Sequence, residues 1–573
     1  MRRKFALVFI VTLLLASHGW LVRGAQDSSV SATQLERLAA LGKLWGTVKF
    51  FHPYLAYKDI DWDAALIKAI PLVKAARTPD EYRQAVNTML QALGDPATTV
   101  ENPTTQPKRA VPNKAATELS YYRVQDAYVI ATVTDWVAAM LTGQGKAAFD
   151  KAAALHAEAA KAKGLVLDCR FGGFAYADTP VTYLEFQLEN NLLPGLLQGA
   201  APLGTQRYRQ HIGYTPQGVF GGDYSSSLVT TAPPAFFGRA REAKPLVVLF
   251  DDRTPDIVAH LGGLQAAGAK LVQVGPANVG AGAQLHEMQL AEGVRARVRV
   301  SEFIHPNGAT TLQPDVQLSA EAGAGEPGIA AALAAFSAPA REKAAPAQTL
   351  LAAPQTVRDK VYPQMVFPPE EYRLLALFRF WNVIHYFFPY KHLTDQPWDS
   401  VLPEFIPRML ACKDALDYAT AVAELAARIQ DTHAWAVTGL YPLENKLGVM
   451  APPLRVGHAA GDKLVVLELM DEAAAQAAGI QRGDVILTID GEPVAQRLAA
   501  LAKYRSLSTP QSAYAYVYPS ALRGPPGSNA KLRIESGNGE PRDVEIARTV
   551  AYFSAMAAPV RRTPVYQVLP NGD

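Results

Sequence analysis

Two short stretches of the chain set chemistry-bearing side chains at spacings that matter. In the first, Thr254, Pro255 and Asp256 follow Asp251, and His260 comes four positions after Asp256. A hydroxyl is a poor nucleophile near neutral pH unless a base is held against it. His260 falls six positions beyond Thr254, within a predicted helix, so the spacing does not aim its ring at the hydroxyl. Thr254 is thus a nucleophile candidate without a positioned base. A simpler assignment accounts for all three residues: Thr254 caps the helix, Pro255 takes its first position and Asp256 follows. The second stretch is Asp431, Thr432 and His433, an Asp-x-His spacing that offers His433 as a candidate base. A helix-end histidine facing solvent or packing on Trp435 is the alternative there.

Other chemistries are excluded by what the residues lack. The turn at 275–282 has glycines five apart but no Lys-Ser/Thr ending, so it is not a phosphate-binding loop. His52, His385 and His392 have no carboxylate or second histidine four positions on, and no CxxC spacing occurs, so neither a metal site nor a cofactor is expected. The two cysteines, Cys169 and Cys412, fall in different units and read as buried free thiols. Fifty-five basic residues against 53 acidic ones give a net charge of +2, with no cationic cluster, which argues against nucleic acid as a partner.

The elements that must position these residues alternate along 573 residues, too many for one core. Residues 1–24 carry a basic start, a short apolar run and small residues before Ala25, the pattern of a secretory signal. No later stretch is long and apolar enough to span a bilayer, so the mature chain is expected to be periplasmic or secreted. Residues 25–110 read as helical, 111–320 as α/β with strands at 164–168, 246–250 and 270–274, and 321–365 as an Ala/Pro-rich linker. Residues 183–231 look poor in regular elements. Residues 366–440 are helical again, and 441–549 form a small β-rich unit with a hairpin signal at Asp490 and Gly491. The helical segments are copies. A constant shift of 336 positions carries Trp45 onto Trp381, Pro53 and Tyr54 onto Pro389 and Tyr390, Trp62 onto Trp398, Tyr82 onto Tyr418 and Asp95 onto Asp431. So long a period means duplication of a whole domain set.

The stretch GIQRGDVILTIDGEPV at 479–494 resembles a bacterial-type PDZ domain. Together with GLVLDCRFGG at 164–173 and the strand–turn–helix at 246–267, the chain resembles the C-terminal-processing (tail-specific) serine peptidases and the related tricorn core. The resemblance implies a multidomain protein: a crotonase-like α/β peptidase-type domain, two duplicated helical segments and one PDZ domain. It implies a serine nucleophile, which falls on Pro255 or Asp256, a lysine base, which falls on Ala281, and a helical-segment histidine, which falls on Ala97 in the first copy and His433 in the second. Asp168, Arg170, Gly172 and Gly173 remain of the scaffold, the two glycines from the oxyanion turn. A PDZ carboxylate loop would lie at Leu447, Gly448 and Val449. Residues 550–573 would open a second peptidase-type domain.

With serine, lysine and histidine all replaced in the first unit, the expectation is an exported, non-catalytic relative that binds peptide or protein C-termini through its PDZ domain. The alternatives are a serine endopeptidase completed by a domain outside these residues, and a site that His433 completes in a partner. Oligomeric state is left open by the sequence.

Overall fold

Ser31 opens the first helix. Its hydroxyl accepts from the Gln34 backbone while the Gln34 side chain accepts from the Ser31 backbone, a reciprocal box that starts α1 (Ala32–Phe51). The Asp61 carboxylate caps α2 (Trp62–Ala75), and the Thr78 hydroxyl caps α3 (Pro79–Leu90). The chain is seen here in a computed structural model that describes residues 30–101, 120–125, 127–132, 145–170, 193–216, 222–231, 235–242, 244–251, 258–276, 282–338, 355–357, 359–362, 364–434, 441–537 and 539–553. The predicted signal segment lies outside them.

After β1 (Thr99–Glu101) comes a mixed α/β unit. Its elements are β2 (Ser120–Val124), β3 (Tyr128–Thr132), α4 (Gly145–Lys161), β4 (Gly164–Asp168), β5 (Gln198–Pro202), β6 (Thr205–Pro216), β7 (Gly222–Thr230) and β8 (Ala235–Arg239). They continue with β9 (Leu246–Asp251), α5 (Val258–Ala266), β10 (Lys270–Val274), β11 (Leu285–Gln289), β12 (Arg295–Arg299), β13 (Ser301–Ile304), β14 (Val316–Leu318), α6 (Glu326–Ala335) and β15 (Gln355–Val357). The main sheet runs β14-β10-β9-β4-β3-β2, parallel except for the β2 edge. Such a sheet must be covered on both faces. Leu155 of α4 and Leu261 and Leu264 of α5 pack on one face, Ile329 and Ala332 of α6 on the other.

A second sheet, β13-β6-β7-β15, occupies part of the stretch at 183–231 that looked poor in elements. Its strands are hidden from a hydrophobicity pattern because the buried positions of β6 are arginines. Arg207 is paired with Glu302 at 2.6 Å and Arg209 donates to Ser226 at 2.9 Å.

The chain continues through α7 (Glu370–Phe387), α8 (Trp398–Ala411), α9 (Ala415–Ala427) and α10 (Tyr441–Leu447). A C-terminal β unit follows: β16 (Met450–Ala451), β17 (Leu454–Ala459), β18 (Lys463–Leu469), α11 (Glu472–Ala477), β19 (Val485–Ile489), β20 (Glu492–Pro493), α12 (Val494–Ala502), α13 (Ser512–Tyr516), β21 (Asn529–Glu535), β22 (Arg542–Ala547) and β23 (Val550–Ala551). Its sheet runs β17-β18-β19-β21-β22, so β17 is an edge strand among the described residues.

The two helical copies share one core, and their contacts obey the 336-residue shift. Each copy has the same tryptophan clasp: Trp45 and Trp62 donate to each other's carbonyls at 3.2 and 3.0 Å, and Trp381 and Trp398 do so at 3.1 Å. Where α1 meets α7, equivalent positions face each other: Gly42 lies against Phe378, Gly46 against Asn382, and the Phe50 ring is edge-on to Tyr386 at 5.5 Å. The ion pairs are reciprocal too. Lys43 reaches Asp399 at 3.1 Å, and Arg379, at the position equivalent to Lys43, reaches Asp63. Contact between equivalent positions is the mark of a two-fold axis, here within one chain. A Cβ on Gly46 would overlap the buried Asn382 amide, which donates to the Gly42 and Phe378 carbonyls. Gly46→Ala is therefore expected to cost about 1–3 kcal/mol of stability by overpacking, read by chemical denaturation. Adding Asn382→Ala should recover part of the loss, and a loss left unchanged by it would refute the contact.

Candidate functional site

β9 of the main sheet leads toward the stretch in which the sequence offered Thr254 as a nucleophile candidate. β9 is buried along its length and feeds α5. Thr254, Pro255 and Asp256 between them lie outside the described residues, as do Ala281, Gly172 and Gly173. His260 is in α5. At the end of β4, Arg170 grips Asp168 through bonds of 2.9 and 2.7 Å and reaches the carbonyls of Gly323 and Gly325 at 2.6 and 2.9 Å. These two residues tie β4 to the entry of α6. Cys169 and Cys412 are buried and form no disulfide with each other, and burial pushes the Cys169 thiol up, away from thiolate chemistry.

Ala97 stands beside a dense polar cluster. A left-handed Gly94 ends the helical stretch and turns the chain so that Asp95 points inward. Asp95 accepts from the Ala97 backbone at 3.1 Å, from Thr98 Oγ1 at 2.7 Å and from Arg299 of β12 at 2.9 and 3.0 Å. The Tyr54 backbone donates to His52 Nδ1 at 3.2 Å, so the proton sits on Nε2 and is donated to Asp95 at 3.0 Å. His52 and Asp95 have fully buried side chains. Burial alone drives the Asp95 carboxyl up, but the hydrogen bonds from His52 and Arg299 and the guanidinium charge outweigh it and hold the carboxyl well below its ordinary range. Burial lowers the pKa of His52 against the opposing pull of Asp95. Next to the cluster, Tyr57 donates to Glu302 at 2.6 Å, and Glu302 is held by Arg207.

The second copy turns in the same way at Gln430, also left-handed, yet its aspartate has another fate. Asp431 accepts from the His433 backbone at 3.0 Å and from His433 Nδ1 at 2.8 Å. A carboxylate only accepts, so the proton is on Nδ1 and the Nε2 lone pair is left for proton transfer. The ring is 94% exposed. The loop is tied to the C-terminal unit by Ser506, which accepts from the Asp431 backbone at 2.8 Å, and Ser508, which accepts from the Thr432 backbone at 3.0 Å.

The stretch Leu447, Gly448 and Val449 leads into β16. Gly448 has φ +91°, and a Cβ there would strike the Gly524 backbone. The Gly448 carbonyl accepts from buried Arg523 at 2.6 Å, the Val449 carbonyl from Tyr552 at 2.9 Å, and Met450 pairs with Gly524. These three residues are far along the chain from the Thr254 turn and from Ala97, and no described contact joins them to either. Among the described residues no metal-holding cluster occurs, and no helix is long and apolar enough to cross a membrane.

Sequence reasoning missed Arg299, His52, Thr98 and Glu302 as a set. One signal could have found them. His52, Tyr57, Ala97 and Thr98 are where the first copy departs from the second, which has Phe388, Leu393, His433 and Ala434. All four departures fall around the shared aspartate or its neighbouring turn.

No family model matches the sequence, and no curated protein matches it. Solved structures show partial likeness. A protein of Parabacteroides merdae designated a peptidase is 17% identical, with 54% of this chain and 98% of that one covered and a TM-score of 0.33. A lipoprotein from Streptococcus agalactiae is 13% identical over 49% of this chain and 91% of its own, with a TM-score of 0.29. The photosystem II D1 C-terminal processing protease is 15% identical over 51% and 94%, with a TM-score of 0.28.

Removing one partner of a buried charge pair leaves the other uncompensated, whereas an exposed pair contributes little. Asp95→Ala is expected to cost about 3–5 kcal/mol and Asp431→Ala less than about 1 kcal/mol, compared by denaturant midpoints. Equal costs would show that the first cluster is not the lock described. Acid should weaken the same region. Burial lowers His52, and burial first takes His211 and His305 down to about 4. Each histidine's folded pKa lies below its unfolded value near 6.5. The stability carried by the neutral rings is therefore intact above about pH 6.5 and lost as the pH falls toward 4, before Asp95 protonates. Denaturation at pH 7.5 and 4.5 should show a marked fall, and a flat profile would contradict it.

Proposed function

We propose that the protein is an exported, tail-specific-peptidase-like chain that holds extended peptides or protein C-termini at its C-terminal β unit, read as PDZ-like, while the α/β unit serves as scaffold. The observation that carries this is the state of Asp95. In the peptidase motif that carboxylate belongs with a histidine two residues on. Here the position is Ala97, and Asp95 is committed to Arg299, His52 and Thr98 inside the protein. A carboxylate saturated in this way is part of a joint between the helical copy and the α/β unit, not the arm of a proton relay. The replaced positions Pro255, Asp256 and Ala281 agree with that reading at the sequence level.

Peptide capture is supported by β17. A strand paired on one side only offers backbone donors and acceptors to an added strand, with side-chain specificity from alternate positions. The Leu447–Gly448–Val449 turn, with its positive-φ glycine, precedes that edge by a few residues.

A second reading is favoured by one observation, the Asp431–His433 pair. Its geometry is that of an oriented base with its free nitrogen turned outward. In that reading His433 serves a hydroxyl nucleophile on another polypeptide. The two are separated by assaying the purified chain alone, with casein and with peptides bearing free or amidated C-termini. The first reading expects calorimetric binding that prefers the free carboxylate, and no hydrolysis. Turnover abolished by a serine-directed inhibitor would overturn it.

A further inference from the structure

Among the described residues, the first helical copy has contacts that the second does not. In copy one, the turns carrying His52 and Asp95 pack against β6, β12 and β13 of the α/β unit, which leaves His52 and Asp95 buried, Tyr54 half-buried and Tyr57 41% exposed. The shift of 336 places Tyr390 and Leu393 at the positions of Tyr54 and Tyr57, and His433 at that of Ala97. Those residues are exposed: Tyr390 by 58%, Leu393 by 70% and the His433 side chain by 94%, whereas Ala97 is at 7%. The intramolecular two-fold makes the two faces alike in backbone, so the face on copy two has the shape that receives strands in copy one.

We infer that the face formed by Tyr390, Leu393 and His433 docks a second α/β unit of the same build as residues 120–338. The copy differences specify its chemistry. Tyr57 donates to buried Glu302, but Leu393 cannot, so the partner presents an apolar side chain where this chain has the Glu302–Arg207 pair. Asp95 takes a guanidinium, but Asp431 already holds His433, so the partner carries no arginine there. Docked as in copy one, His433 would be covered, and its Nε2 lone pair would need a donor from the partner, a hydroxyl or N–H. In a second copy of this chain, Arg207 and Arg299 of β6 and β12 are already buried in pairs with its own Glu302 and Asp95, so it does not meet that description. This inference extends the reading of His433 as a base offered to another polypeptide, but it concerns docking, which occurs with or without hydrolysis.

The test uses the full chain in its own host with a photo-cross-linking residue at one exposed position, Leu393→p-benzoyl-Phe, and a control at Leu467→p-benzoyl-Phe on the C-terminal unit. The expected result is an adduct from position 393, absent from the control, whose partner peptide maps to a strand of an α/β domain outside residues 1–573. Adding Tyr390→Asp should cut its yield about tenfold, the effect of losing one central contact residue, while the melting temperature of the chain stays unchanged. Adducts confined to residues 1–573 or to a second copy of them, adducts equal to the control, or a partner segment outside any α/β domain would overturn the inference. Loss of peptide binding or of hydrolysis leaves the cross-link readout untouched, so failure of the earlier reading is distinguished from failure of this one.

Discussion

Close approach of α1 and α7 governs the rest of the molecule. Two helices can come this near only where one side of each contact is stripped to a hydrogen atom, and Gly42 and Gly46 provide that against Phe378 and Asn382. In a true dimer a two-fold contact sets a residue against its own copy, so both sides would be small or both large. Duplication within one chain removes that restriction. One copy became small and the other large at the same positions, and the pair interlocks as a knob in a hole. The reciprocal ion pairs of Lys43 and Arg379 then fix the register of the two copies; the exposed Lys43–Asp399 pair is worth about 0–1 kcal/mol, whereas the Arg379–Asp63 pair is largely withdrawn from solvent.

That joint lets the copies diverge around it. Both keep the left-handed residue before the aspartate, Gly94 and Gln430, and both give the aspartate a histidine. The histidines come from different places. In copy one His52 arrives from the end of α1 and closes over Asp95 from within, which costs the carboxylate its solvent and requires Arg299 to compensate. In copy two His433 arrives from the same turn as Asp431 and stays in water. The first arrangement is structural because nothing in it can move without exposing a buried charge. The second is free to act because it is bound to so little.

The helical copies, the buried parallel strands and the C-terminal sheet were legible in the sequence because each is written in hydrophobic period or in turn residues. The period-three-and-four spacing of Leu38, Leu41, Trp45 and Val48 becomes the buried face of α1, and the apolar run at 246–250 becomes β9. The sheet built on β6 was not legible, because Arg207 and Arg209 occupy positions where a pattern search expects apolar residues, and their partners are Glu302, almost a hundred positions from Arg207, and Ser226 and the Lys49 carbonyl for Arg209. The Asp95 cluster was illegible for the same reason: His52, Asp95 and Arg299 meet only after three elements have packed. Pairing across such distances leaves no local trace, although the mismatch between the two copies marked where to look.

Magnitudes separate the two aspartates in one further respect. Breaking the buried cluster would cost several kcal/mol, a large share of a domain's net stability of about 5–15 kcal/mol, so keeping its geometry needs no explanation beyond folding. The Asp431–His433 pair lies at the surface, where holding two side chains in one geometry returns about nothing. Folding therefore supplies no reason for His433 to be oriented by Asp431, or for Leu393 and Tyr390 to stay exposed. What explains that arrangement has to come from whatever the face meets.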